Sequence, residues 1–144
     1  VGAHFLFPSE DLLIIDAGSC ITYDLLINNS FEGGLISPGF KMRLKAMHEM
    51  TGQLPDVIQQ SDQYEWELIG KSTATGMISG AKNGMKNEIN GIVSRLKEKY
   101  ASLRVLMTGG DAVLFESNVK GSIFVRSNLV PLGLNQILIN NEDI

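Results

Sequence analysis

Residues 12–24, LLIIDAGSCITYD, constrain the fold most strongly, because a glycine turn joins two segments that both have strand character. Residues 12–15 form a continuous apolar run, which is typical of a strand buried on both faces. Residues 21–23 are β-branched or aromatic, as strands prefer. A dinucleotide-binding site or a P-loop would run from a strand through glycine into a helix. The pattern therefore predicts an antiparallel β-hairpin with Asp16, Gly18 and Ser19 at its tip, at one mouth of a cleft.

The residues at this tip suit the binding of phosphate groups. Successive backbone N–H groups in a tight turn form a concavity that binds anionic oxygens. Gly18 permits close approach, Ser19 adds a hydroxyl, and the Asp16 carboxylate could hold a cation beside the phosphates. The alternative is an ordinary turn capped by an aspartate side chain.

The rest of the chain predicts one α/β domain with the element order β-β-β-α-α-β-α-β-α. A third strand at residues 30–39 follows the Asn28-Asn29 turn and completes an antiparallel meander. Helical spacing predicts helices over residues 40–49 and about 73–100, and a closing helix from residue 129. Glycines in the first half of the long helix indicate close approach by another backbone or a ligand, namely Gly76, Gly80 and Gly84.

A second glycine turn lies in MTGGDA, where a buried strand leads into a helix. Ligands collect at such strand ends in α/β sheets. The alternative for Gly109 and Gly110 is a plain turn, with Asp111 favoured near the helix N-terminus by the helix dipole. Together the two glycine turns predict a nucleotide held at its phosphates and at its base or ribose.

The composition of the chain limits which kinds of partner and which cellular compartment we expect. The net charge is −4 without a basic block, which argues against nucleic acid as a partner. No apolar stretch is long enough for a membrane span. Cys20 is the single cysteine of the 144 residues, so we expect a small buried side chain and a reducing, cytoplasmic environment. The start at Val1 rather than Met suggests a fragment or a processed chain.

The ordered set of motifs resembles one known family over nearly the whole chain. DLLIIDAGSCITYDLL, FEGGLISPGF, TGQLP, GKST, LMTGGDA and VPLGLNQIL are similar, in order and spacing, to the C-terminal half of type III pantothenate kinases. That family belongs to the superfamily of acetate kinases, sugar kinases, Hsp70 and actin. The resemblance implies that residues 1–144 are the C-terminal ribonuclease H-like domain of a two-domain kinase. This domain has a three-stranded antiparallel meander extended by parallel strands and packed with helices.

The resemblance also implies roles for particular residues. Asp16 matches a monovalent-cation position for potassium or ammonium, and Gly18 and Ser19 match the ATP-phosphate motif, with serine in place of threonine. Thr73 matches a threonine that contacts pantothenate. Gly109 and Gly110 match positions near the adenosine. The turn around the pantothenate pocket and dimer interface is matched by four residues, Gly33, Gly34, Pro38 and Gly39.

The implied reaction is ATP-dependent phosphorylation of pantothenate to 4′-phosphopantothenate, the first step of coenzyme A synthesis. It uses ATP with Mg²⁺ and a monovalent cation, in a homodimer. The family's first phosphate loop and its Gly-x-Asp-Arg motif, which carries the proposed general base, are absent from this sequence. We therefore expect no catalytic base in this chain and no activity from the chain alone. The alternative is a non-catalytic regulatory or accessory homologue.

Overall fold

The computed structural model describes residues 1–116, 123–126 and 128–142. A short helix α1 (Gly2–Leu6) precedes strands β1 (Leu12–Ala17), β2 (Cys20–Ile27) and β3 (Ser30–Pro38). Helices α2 (Phe40–Glu49) and α3 (Thr73–Lys99) follow, with a 3₁₀ turn at Ser61–Gln63 between them. The remaining elements are β4 (Arg104–Thr108), α4 (Ala112–Glu116), β5 (Ile123–Val125) and α5 (Leu129–Glu142). The predicted element order is confirmed, with α1 in addition.

The five strands form one mixed sheet in the order β3-β2-β1-β4-β5. β1, β2 and β3 are antiparallel neighbours, whereas β4 and β5 are added parallel to β1. The predicted meander extended by parallel strands is therefore confirmed. β1 lies at the centre of the sheet, which explains why its apolar run is continuous: Leu12, Leu13 and Ile15 are at most 1% exposed.

The two faces of the sheet have different partners. One face packs against α2, α3 and α4, and its core includes Ile15, Tyr23, Phe40, Met85 and Phe115. The other face meets α1 and α5 through a smaller cluster of Ala3, Leu12, Leu106 and Leu129. Because strand side chains alternate, Asp16 projects toward the α1 and α5 face, on the opposite side from its neighbours Ile15 and Ala17.

Within the described part of the chain, the predicted close approach occurs at the N-terminal end of α3, where a Cβ at Gly70 would lie 2.2 Å from the Gly76 nitrogen, but not on the face toward which Cβ atoms of Gly76, Gly80 and Gly84 would point. A Cβ atom at Gly76 or Gly80 would meet nothing within 4 Å, and at Gly84 it would meet only the Arg43 guanidinium, at 3.5 Å. These glycines lie on an exposed face of α3. None of the helices that the structure describes is both long and apolar enough to cross a membrane.

Candidate functional site

The β1–β2 hairpin has the predicted antiparallel geometry. Asp16 pairs with Thr22 and Ala17 with Ile21, and the Gly18 N–H donates a hydrogen bond to the Cys20 carbonyl at 2.9 Å. Asp16 is thus a strand residue just before the turn, and Ser19 is exposed at the tip. The Gly18 amide is used within the turn, so the outward concavity has one donor fewer than the sequence suggested. Cys20 is half-buried rather than buried.

The loop containing Gly109 and Gly110 lies directly against this hairpin. Gly109 has a φ of +97°, a backbone conformation that favours glycine. A Cβ atom there would lie 2.3 Å from the Ala17 carbonyl oxygen and 2.5 Å from Asp16 Oδ1. The Asp111 N–H donates to the same Ala17 carbonyl at 2.9 Å. The structure therefore brings together the two glycine turns that the sequence placed about ninety residues apart.

Asp16 also faces a cavity of about 460 Å³ between the sheet and the helices α1 and α5. In register across the sheet, Asp16 lies between Thr22 on β2 and Thr108 on β4, and all three residues line the cavity. Asp24 adds a second carboxylate, whereas the remaining lining is mostly apolar and includes Ile14, Leu26, Leu129 and Leu134. The cavity therefore has Asp16, Thr22 and Thr108 at the end where the glycine turns meet, and beyond them its lining is mostly apolar apart from Asp24 and His4.

The side chains at this polar end offer mainly oxygen atoms as ligands, which suit a hard cation such as Mg²⁺ or K⁺. Within the described ranges, no group of three or more His, Cys, Asp or Glu side chains could hold a metal ion alone. Magnesium in kinases is held by one or two carboxylates together with substrate phosphates. The missing Cβ at Gly109 leaves room for the Asp16 carboxylate, which could contribute oxygen ligands to a cation beside such phosphates.

Asp111 follows the second glycine turn and is partly buried. Desolvation raises the pKa of its carboxyl group, the Lys41 charge opposes this, and the Asp62 charge adds to it. The N–H contact with Ala17 shows that Asp111 helps to fix the loop on the hairpin.

Thr73 lies apart from these residues, at the exposed start of α3. Its neighbour Ser72 is the N-cap: the Ser72 side chain accepts from the Thr75 N–H at 3.2 Å, and Thr75 Oγ1 accepts from the Ser72 N–H at 2.9 Å. Gly70 packs on this first turn, since a Cβ there would lie 2.2 Å from the Gly76 nitrogen. Because α3 covers the other face of the sheet, Thr73 does not line the cavity beside Asp16.

The glycines of the SFEGGLISPGF region divide between two places. Gly39 packs onto the hairpin tip: its N–H donates to the Ser19 carbonyl at 3.0 Å, and a Cβ would lie 2.0 Å from the Gly18 carbonyl oxygen. Gly33 and Gly34 lie on β3, the edge strand, with Gly33 at a φ of +106° near a register shift.

A polar cluster that the sequence did not predict joins four elements. Glu88 on α3 accepts hydrogen bonds from Tyr23 at 2.9 Å and from Ser37 at 2.5 Å, and it pairs with Arg43 on α2. Burial acts to raise the pKa of Glu88, but the hydrogen bonds from Ser37, Arg43 and Tyr23 and the Arg43 charge outweigh it, so the pKa is lowered. Burial, followed by the bond to Glu88, raises the pKa of Tyr23.

A sequence feature could have indicated this cluster. Glu88 lies three residues after Met85 and four before Ile92, and therefore on the apolar stripe of α3. A charged residue in such a stripe needs a partner. The guanidinium of Arg43 on α2 reaches both Glu88 and the Pro38 carbonyl.

The relatives compared with this chain are described as type III pantothenate kinases. The sequence model of the family "Type III pantothenate kinase" matches residues 1–95. A type III pantothenate kinase of Bacteroides fragilis is 44% identical over 143 residues, which cover 99% of this chain and 58% of that protein. That of Cytophaga hutchinsonii is 43% identical over 98% of this chain and 59% of its own length. The chain thus spans somewhat more than half the length of these relatives.

Two solved structures have a similar fold. A conserved Campylobacter jejuni protein, provisionally described as a Baf family transcriptional activator, superposes with a TM-score of 0.67 at 23% identity, covering 99% of this chain and 63% of that one. The ethanolamine utilization protein EutJ of Carboxydothermus hydrogenoformans gives a TM-score of 0.54 at 16% identity, covering 92% and 51%. At these identities the likeness concerns the fold alone. Since the family's sequence model covers more than half of the chain, the chain belongs to the type III pantothenate kinase family.

Proposed function

We propose that this chain is the C-terminal, ribonuclease H-like part of a two-domain kinase that transfers the γ-phosphoryl group of ATP to the primary hydroxyl of pantothenate. One observation carries the proposal: the β1–β2 hairpin, the Gly109–Gly110 turn and the Asp16 carboxylate meet at the polar end of a cavity. Membership of the family, and the span of only 58% of a relative's length, support both the reaction and the two-domain arrangement.

We place ATP, as its magnesium complex, at this end of the cavity. Gly18 and Ser19 would approach the phosphates, with the exposed Ser19 hydroxyl as a donor, while Gly109 and Gly110 would lie near the adenosine. Phosphoryl transfer depends on positioning and on neutralising the charge of the phosphate oxygens. This chain supplies both through backbone close approach and cation binding, whereas the base that accepts the hydroxyl proton would come from the other domain.

The Asp16 carboxylate would repel ATP unless a cation lay between them. We therefore assign Asp16 to a monovalent cation, potassium or ammonium, with the Thr22 and Thr108 hydroxyls in the same row as further oxygen donors. Magnesium, when bound with ATP, would supply electrostatic stabilisation of the charge on the transferring group.

Thr73 remains the proposed contact for pantothenate, although it lies away from the cavity. It stands at the start of the exposed glycine face of α3, which we propose forms part of a homodimer interface together with the β3 edge. ATP is a cytoplasmic substrate, and we propose the cytoplasm as the location. The second possibility, a non-catalytic homologue with the same fold, has no structural observation in its favour and is an outcome of the test.

The test is a coupled assay of ADP release with pantothenate and MgATP, on the full-length protein that contains these residues. We expect pantothenate-dependent turnover that is faster with potassium than with sodium, and a loss of about 10²-fold in Asp16→Asn together with the cation response. Glu98→Gln, an exposed carboxylate near the C-terminal end of α3, is the control and should behave as wild type. Residues 1–144 alone should be inactive.

Absence of pantothenate-dependent turnover in the full-length protein would favour the non-catalytic homologue. An unchanged rate and cation response in Asp16→Asn would remove the cation role while leaving the kinase assignment in place. Turnover by residues 1–144 within tenfold of the full-length protein would show that the general base lies within this chain.

A further inference from the structure

The Pro38-Gly39 corner, between β3 and α2, supports the hairpin tip from behind. The Gly39 N–H donates to the Ser19 carbonyl at 3.0 Å, and the absent Gly39 Cβ would overlap the Gly18 and Ser19 carbonyl oxygens at 2.0 and 2.6 Å. These contacts are between backbones, with no flexible side chain to absorb a shift. A displacement of the corner is therefore transmitted directly to Gly18 and Ser19.

Arg43, one turn into α2, holds this corner through two different groups. Its Nε donates to the Pro38 carbonyl at 2.8 Å, while its terminal nitrogen pairs with Glu88. The planar guanidinium can satisfy both partners at once, which a lysine ammonium at the same position cannot do with the same geometry. The guanidinium packs beside Gly84 of α3, where a Cβ would lie 3.5 Å from it, in ordinary van der Waals contact.

Glu88 fixes the direction of the guanidinium. Its carboxylate is held by Tyr23 from β2 and Ser37 from β3, so the pair is anchored to the sheet as well as to α3. The Arg43 and Glu88 side chains are 21% and 25% exposed, so solvent screens this pair less than a fully exposed one. The contacts thus form a continuous series from α3 through Arg43 and the Pro38 carbonyl to the hairpin tip.

We propose that Arg43 and Glu88 are positioning residues for the nucleotide-phosphate turn: through the Pro38-Gly39 corner they hold Gly18 and Ser19 in the geometry that receives ATP. The inference rests on the proposed function, because it takes the hairpin tip as the ATP site. Neither side chain is among the residues that line the cavity beside Asp16. Because the corner contacts the Gly18 and Ser19 carbonyls directly, loss of either side chain should affect the nucleotide more than the second substrate.

The test compares Arg43→Gln with Arg104→Gln in the full-length protein. Arg104 forms a similar ion pair with Glu10 and is 31% exposed, but it lies at the start of β4, at the opposite end of the sheet from the tip. We expect Arg43→Gln to raise the KM for ATP about tenfold, with the KM for pantothenate changed less than twofold. Arg104→Gln should leave both KM values near wild type, even if it lowers the thermal midpoint as much as Arg43→Gln does.

Amide hydrogen exchange of the peptide spanning residues 14–22 provides a readout that needs no activity. Exchange there should be faster in Arg43→Gln than in Arg104→Gln. Arg43→Lys should recover part of the thermal midpoint but keep the raised KM for ATP, because the charge returns without the second bond. If Arg43→Gln does not fold, Glu88→Gln, which keeps the side-chain size, replaces it in the test. It should also raise the KM for ATP and speed exchange in residues 14–22, by smaller amounts.

Equal exchange in the two arginine variants, or an equal rise in the KM for ATP, would overturn the positioning role. Wild-type ATP kinetics in both Arg43→Lys and Glu88→Gln would also overturn it. If the wild-type protein does not phosphorylate pantothenate, the proposed function fails, and the exchange comparison alone then decides whether the pair positions the turn.

Discussion

At the scale of single residues, Gly109 joins the two halves of the candidate ATP site. Its φ of +97° excludes most side chains, and its missing Cβ leaves room for both the Ala17 carbonyl and the Asp16 carboxylate. The adjacent Gly110 has open space within 4 Å and no such constraint. Two neighbouring glycines of one motif therefore have different physical reasons to be glycine.

This difference gives a prediction for the full-length protein. Gly109→Ala should destabilise it by about 2 kcal/mol or more, because a strained φ and a displaced Asp16 side chain both cost free energy. The thermal midpoint, measured by differential scanning fluorimetry, should fall by about 4 °C or more. Gly110→Ala is the matched control and should change stability by less than about 0.5 kcal/mol. A similar small change in both variants would contradict the close packing of Gly109.

Glu88 gives a pH dependence with a definite sign. The pKa of Glu88 is lowered in the folded protein, whereas in the unfolded chain a glutamate has a pKa of about 4.3. On acidification the unfolded state therefore binds the proton first. The stabilisation from ionised Glu88 is present above that value and is lost as the pH falls through the folded pKa. Glu88→Gln lacks this contribution.

The thermal midpoints of wild type and Glu88→Gln, measured from pH 7 to pH 3, check this sign. The wild type should melt at a higher temperature above about pH 5, and the difference should narrow as the pH falls below about 4. The common titration of the other carboxyl groups cancels in the comparison. A difference that stays constant or widens on acidification would show that Glu88 is not held ionised by its partners.

At the scale of elements, α3 combines structural and proposed functional positions within its first turn. Ser72 and Thr75 form the capping box, whereas the adjacent Thr73 side chain has no part in it. At the following Gly76 and Gly80, a Cβ atom would meet nothing within 4 Å. The same short segment thus contains residues that start the helix and a residue that could meet a ligand.

Ser72→Ala and Thr73→Ala should separate these two tasks. Ser72→Ala removes the cap and should cost about 1 kcal/mol of stability, with little change in the KM for pantothenate. Thr73→Ala should leave the thermal midpoint near wild type and raise the KM for pantothenate several-fold, consistent with one lost hydrogen bond. Kinetics and thermal melting of both full-length variants provide the measurement, and an unchanged KM in Thr73→Ala would refute its substrate role.

At the scale of the whole molecule, the edge strand β3 meets α3 where Ser37 contacts Glu88, one turn after Gly84 of the glycine face. Leu35 on β3 is 52% exposed and projects to the α3 side of the sheet, where it pairs in register with Tyr23. An exposed strand edge with apolar side chains favours pairing with another chain. These features support the proposed homodimer.

Light scattering of the full-length protein at micromolar concentration should give a dimer mass, and Leu35→Asp should shift it toward the monomer, since a charge buried at an interface is costly. Val113→Asp places the same charge on α4, at a residue 71% exposed and away from β3, and should leave the dimer intact. A monomeric wild type, or a dimer that Leu35→Asp does not weaken, would exclude this surface as the interface.

The local sequence determined the elements and the hairpin, because those depend on periodicity and turn chemistry over a few residues. The apolar run of residues 12–15, the Gly18 turn and the helical spacing from Phe40 were sufficient to predict β1, β2 and α2. Only the tertiary structure decided which distant residues meet. The pairing of β4 with β1 brings Gly109 against Asp16, and the packing of α2 and α3 on the meander unites Arg43 with Glu88. Contacts between residues far apart in sequence depend on how strands pair and helices pack, which periodicity within one segment does not encode.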